Sequence, residues 1–205
     1  MPTGVVVGIA RKPHMPDNNT DCPCNVEISW VRVGGTSVTD LLDFFANFFI
    51  DNPDDKTIYH CAIKVQFPEN GRCPSHVIEL TESLDDQAER DRVGEVAQHG
   101  IFGPWSYAIR VFRNGSIEDE TNIKETTVLS TDCDTARNIV QLARDVPLLD
   151  YGEKIGTKTG AADRWSSNSV VSWILQKAGL DPANIDPPSG GIAPGWDAGI
   201  TQAKK

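Results

Sequence analysis

A strand-turn-strand segment in the first half of the chain restricts its folding most. From Tyr59 to Phe67 the residues alternate, with Tyr59, Cys61, Ile63, Val65 and Phe67 on one face and His60, Ala62, Lys64 and Gln66 on the other. Asn70-Gly71 follows, a dipeptide that favours the left-handed backbone of a tight hairpin turn, and His76 to Leu80 reads as the returning strand. With Asn70 and Gly71 as the two loop residues, Glu69 faces Arg72, Val65 faces His76, Ala62 faces Glu79 and His60 faces Thr81. A bulge at Cys73-Pro74 would invert that assignment.

The rest of the chain fits around this hairpin. Gly4 to Ala10 and Val26 to Val33 are β-rich runs, the second alternating Val26, Ile28, Trp30 and Arg32 against Glu27, Ser29, Val31 and Val33. Between Val38 and Ile50, apolar residues recur at helical spacing behind Thr39, a suitable N-cap. Further strands are expected at Tyr107 to Phe112 and Thr126 to Leu129. Two late helices are expected at Asp134 to Asp145 and Ser169 to Ala178, the second ended by Gly179 with Pro182 beyond. Strands first and helices last predict an α+β fold, a mostly antiparallel sheet packed by helices, with residues 1–205 forming one domain.

At 205 residues and 39% hydrophobic, the chain can bury a core without disulfides or metal. The apolar run from Leu41 to Ile50 is interrupted by Asp43 and Asn47 and falls well short of the roughly 20 residues of a membrane-spanning helix. A net charge of −10 repels phosphate backbones and anionic lipid headgroups, so nucleic acid is not an expected partner, and no integral membrane segment is expected. The first residues lack the basic start and apolar stretch of a secretory signal, so cytoplasmic synthesis and a monomer are expected. Under those conditions the five cysteines stay reduced, and no disulfide framework is anticipated. Cys22-Pro-Cys24 with Cys73-x-x-His76 has the donor types for zinc, but Pro23 stiffens the backbone where a metal knuckle must bend. Loop thiols are the preferred reading, with no metal and no cofactor.

Three polar residues could combine into a reaction centre. On the hairpin, His60 shares the polar face with Glu79 one diagonal step away, so the carboxylate could fix the imidazole's tautomer and raise its basicity. His76 falls on the apolar face and is the alternative orienter. A nucleophile is best placed where a buried helix begins, and Ser166-Ser167-Asn168-Ser169 precedes the apolar run Val170, Val171, Trp173, Ile174 and Leu175. Serine before a helix is also simply a common N-cap. Cys133 is the rival nucleophile, but Asp132 and Asp134 on either side would raise its thiol pKa.

The strands His60-Cys61-Ala62-Ile63-Lys64-Val65 and His76-Val77-Ile78-Glu79-Leu80, with the later Ser166-Ser167-Asn168-Ser169-Val170-Val171, resemble the circularly permuted papain-like hydrolases. These form the permuted branch of the NlpC/P60 superfamily and are related to the lecithin retinol acyltransferase-like proteins. The similarity extends over roughly residues 58 to 196, and Ala193-Pro194-Gly195-Trp196 is similar to a P-G-W tail of bacterial members. It implies a papain-like fold in which His60 is the base, Glu79 takes the second polar position and Ser167 stands where the family has cysteine. A serine there is a natural serine branch, an inactive descendant or a replaced cysteine, because a hydroxyl needs a base where a thiol ionises readily. The resemblance implies a hydrolase cleaving amide bonds in peptidoglycan or other peptides, with lipid acyl esters or a catalytically silent binding module as alternatives. It would also suit an antibacterial effector toxin exported without a signal peptide, whose partners would be a delivery or immunity protein.

Overall fold

The computed structural model describes residues 22–33, 56–82, 92–100, 103–117, 120–156 and 162–205. The expected Gly4 to Ala10 strand and Val38 to Ile50 helix lie outside them. A seven-stranded sheet contains β1 (Asn25–Arg32), β2 (Thr57–Gln66), β3 (Ser75–Glu82), β4 (Arg92–Gly100), β5 (Gly103–Arg113) and β6 (Ile123–Ser130). Its order is β4-β5-β3-β2-β1-β6, every neighbouring pair along it being antiparallel. After β6 come α1 (Cys133–Leu142), the small hairpin β7 (Lys154–Gly156) and β8 (Ala162–Arg164), and then α2 (Ser167–Lys177). The short β9 (Gly191–Ile192) joins the start of β2 in parallel, and α3 (Trp196–Ala203) closes the chain. The architecture is α+β with an antiparallel sheet, and no helix among the described residues is long and apolar enough to cross a membrane.

The central hairpin keeps the expected register. Gln66 pairs with Ser75, Val65 with His76, Lys64 with Val77 and Ile63 with Ile78, while Glu69 bridges Arg72 across the turn. Asn70 and Gly71 both have positive φ, 51° and 72°, as a type I′ turn requires, and the strand pairing shows no bulge at Cys73-Pro74.

One sheet face carries the main core. Val26, Ile28 and Trp30 from β1 join Tyr59, Cys61, Ile63 and Val65 from β2 and Ile78 and Leu80 from β3 beneath the helices. Here α2 crosses β2 and β3 and is buried from Ser167 to Leu175, because α1 and α3 cover its outer side. Such enclosure explains why α2 has little amphipathic patterning, whereas α1 buries only Ala136 and Ile139. Trp30 and Trp196 meet at 5.2 Å between ring centroids, and the Trp196 indole donates to the Pro182 carbonyl. On the opposite face Val31, Ala62, Val77 and Ile117 form a smaller cluster.

The cysteines correct the expectation of reduced thiols. Cys22 is bonded to Cys73 and Cys24 to Cys133, leaving buried Cys61 as the free thiol. The two sulfurs around Pro23 therefore clip one segment to both the hairpin turn and the start of α1. Alternation in the sequence places strands, but it does not reveal that these loops converge.

Candidate active site

The start of α2 brings together two residues 107 positions apart. Ser167 Oγ lies 2.9 Å from His60 Nδ1. Ser167 is the first residue of α2 and is 8% exposed; Ser166 occupies the N-cap in extended conformation. The Ser166 main-chain N–H donates to Ser169 Oγ, and its hydroxyl donates to the Pro194 carbonyl. Helix capping is thus carried out by the neighbours of Ser167, and its own hydroxyl is left for the imidazole. With the ring proton on Nε2, Nδ1 accepts the Ser167 hydroxyl, the tautomer a general base needs.

His60 sits on β2 just past the stretch paired with β3. Burial lowers its pKa from 6.5 to about 4, so the ring is neutral at pH 7. At the other side of the pair, Val170 N–H is the first main-chain donor of α2 bonded inside the helix, to Ser166 O. The N–H of Ser169 is taken by the Ser166 capping box, while those of Ser167 and Asn168 have no intrahelical acceptor and mark the positive end of the helix. An attackable carbonyl beside Ser167 Oγ would place its oxygen near these donors.

Glu79 does not join this pair through a hydrogen bond: among the described residues, the imidazole's partner is Ser167. The reason lies in the hairpin, whose pairing ends at Ile63 and Ile78 before it reaches His60. Beyond that point β3 stays with β5, where Glu79 pairs with Arg110 in register, and β2 turns to α2 and β9. Glu79 is 1% exposed on the sheet face opposite the helices.

His76 is equally remote. It faces Val65, five residues along β2 from His60, a separation of about 16 Å. Its ring stacks on Phe67 at 5.1 Å, and Nε2 lies 3.9 Å from Glu69 Oε2. Cys133 offers no thiol, because its sulfur is bonded to Cys24; the alternative nucleophile is removed by the disulfide, not by the acidic neighbours the sequence suggested. The zinc donor set fails similarly, since Cys22 and Cys73 are joined to each other.

A serine series around the pair went unrecognised in the sequence. Ser166, Ser169 and Ser172 recur every third residue from the N-cap into α2 and donate to the carbonyls of Pro194, Gly195 and Trp196. Gly195, at φ 86°, permits this approach: a Cβ there would lie 2.1 Å from Ser166 Oγ and 2.6 Å from Ser169 Oγ. Asp163 secures the same turn by accepting from the N–H groups of Gly195 and Ala198. The polar spacing was the readable signal, but its partner is a turn more than 20 residues downstream. No protein-family model, curated protein or solved structure matches the chain.

Proposed function

We propose that the chain is a hydrolase that cleaves amide bonds through a Ser167–His60 dyad, with peptide or peptidoglycan peptide as substrate. The carrying observation is the 2.9 Å Ser167 Oγ to His60 Nδ1 contact at the start of a buried helix. In the first step His60 Nδ1 takes the hydroxyl proton as Ser167 Oγ attacks the carbonyl carbon, and helix N–H groups stabilise the oxyanion. On collapse, the C–N bond breaks and His60 returns the proton to the leaving amine. Water then attacks the acyl-serine with His60 again as base, releasing a carboxylic acid and free enzyme.

The serine series and the Pro194-Gly195-Trp196 turn support the resemblance to permuted papain-like hydrolases, since two segments that carry it are joined by hydrogen bonds at the helix start that bears Ser167. The two disulfides support work in an oxidising compartment, which suits an exported effector better than a cytoplasmic enzyme. A delivery or immunity protein would be its protein partner.

The test is incubation with peptidoglycan fragments followed by mass spectrometry, alongside labelling with a fluorophosphonate. Hydrolysis products and a phosphonyl adduct on Ser167 are expected. An uncleaved substrate and an unlabelled Ser167 would favour a silent binding module, a reading supported by the imidazole's lowered pKa and by the lack of a carboxylate bonded to it among the described residues.

A further inference from the structure

We propose that Asn168 is the positioning residue of the Ser167–His60 pair, acting as a substitute strand partner for β2. Among the described residues, β2 has no strand partner on that side between Ile63, where pairing with β3 ends, and Ile58, where β9 pairs. The Asn168 amide occupies the gap. Its Oδ1 accepts from the Cys61 N–H at 3.0 Å, and its Nδ2 donates to the Tyr59 carbonyl at 3.0 Å. Those are the main-chain groups immediately before and after His60, so one side chain brackets the histidine as a facing strand residue would.

The amide's remaining capacity is also used. Oδ1 accepts from Cys61 Sγ at 3.2 Å, and Nδ2 donates its second hydrogen to the Pro194 carbonyl at 3.0 Å. Two acceptor sites and two donor hydrogens are all engaged in a residue that is 2% exposed. Burial also pushes the Cys61 thiol well above its usual pKa, which keeps that sulfur protonated as a donor. Asn168 follows Ser167 directly on the helix, while Tyr59 and Cys61 flank His60 on the strand. Fixing Asn168 to the flanks of His60 therefore fixes Ser167 Oγ against the imidazole, the placement that Glu79 was expected to give. Two substitutions remove this set in different ways: leucine has no polar group, and aspartate presents oxygen to both carbonyls.

The proposal rests on the dyad reading only where reactivity is measured. Asn168→Leu and Asn168→Asp would be compared with the unmodified chain by NMR titration of both described histidine rings and by the rate of Ser167 phosphonylation. In Asn168→Leu the His60 midpoint should rise from about 4 toward 6.5 by about one pH unit or more as water reaches the ring, while His76 stays put. Asn168→Asp should raise it as well, through the added negative charge. Phosphonylation should fall about tenfold or more in both. A folded Asn168→Leu protein with unchanged His60 midpoint and labelling would overturn the proposal, as would His60 and His76 shifting together, which signals general loosening. Should both variants fail to fold, amide exchange in the unmodified chain decides: slow exchange at Cys61 N–H supports the strut, and exchange at the rate of an exposed amide overturns it. If the unmodified chain is not labelled but its His60 midpoint still responds to Asn168→Leu, the enzyme reading falls and the positioning role stands.

Discussion

Two histidines occupy neighbouring strands of one hairpin, and both are held below the ordinary imidazole pKa chiefly by burial. Their surroundings give them different chemistry. His60 meets a hydroxyl at the positive end of a buried helix, a place where a proton can be taken and an oxyanion stabilised. His76 meets an aromatic ring and Glu69, whose carboxylate also pairs with Arg113 at 3.0 Å, and has no nucleophile bonded to it among the described residues. The two ends of the hairpin are also secured differently. Near His76 the Cys22–Cys73 disulfide fixes the turn covalently, whereas near His60 the strand is held by hydrogen bonds from Asn168 of α2 and by pairing with β9. A lone histidine on a strand is therefore uninformative until the element at its tip is known.

The comparison breaks most sharply at the reacting pair. His60→Ala should lower the rate of amide cleavage or Ser167 phosphonylation by roughly a thousandfold or more, and Ser167→Ala should abolish labelling. His76→Ala should leave the rate within about twofold, since that ring is about 16 Å from His60. Equal losses would show that the contrast between the rings is false. Ser167→Cys is expected to be more reactive than the serine form, because a thiolate would pair with imidazolium at the helix start and raise the His60 pKa. Iodoacetamide kinetics against pH would read that directly.

Next in size is the covalent clamp. Removing a disulfide typically costs about 2–5 kcal/mol, and Cys24–Cys133 closes a separation of 109 residues against 51 for Cys22–Cys73. Loop-closure entropy then makes the Cys24→Ser change the more damaging by about 0.7 kcal/mol. Denaturant unfolding with and without reductant would measure both, and a stability indifferent to reductant would remove the support for an oxidising compartment. A smaller cost, about 1–3 kcal/mol, is expected from Gly195→Ala, because φ 86° strains an L-residue and the new methyl would meet Ser166 and Ser169. Hydrogen exchange should show its effect at the start of α2 and not at the Asn70-Gly71 turn.

What could be read in the sequence depended on how local the physics was. The Asn70-Gly71 turn and the register through Val65 and His76 follow from backbone preference and alternation within about 20 residues, and the structure keeps both. The sequence pattern starts α2 at Ser169, two residues late, because several serines precede the apolar run and alternation of polar residues does not say that Ser166 is the cap. β4 was missed: Gly94, Gln98 and His99 break any apolar alternation, and its pairing with β5 supplies the order. Glu79 was correctly set on the face opposite the main core, but where the strands part depends on α2, which lies far along the chain. The disulfides and the Asn168 bonds join loops or elements 51 to 109 residues apart, and no local pattern encodes such meetings.

The dependence of stability on pH is what best separates the two rings. Both are depressed by desolvation, His60 to about 4, while at His76 burial and Arg113 lower the value and Glu69 opposes them. A histidine with a folded pKa below its unfolded 6.5 binds fewer protons when folded, so stability is present above pH 6.5 and is lost as pH falls. For His60 that loss runs from about pH 6.5 down to about 4. His76 shares the direction, and its less buried ring should show the shallower slope. Thermal unfolding across this range should therefore flatten more in His60→Gln than in His76→Gln. An NMR titration should place the His60 midpoint below that of His76, and the acid limb of any cleavage or labelling profile should follow the His60 value. If the midpoints come in the reverse order, the imidazole near Ser167 is better hydrated than its burial implies, and the contrast between the two ends of the hairpin would have to rest on position alone.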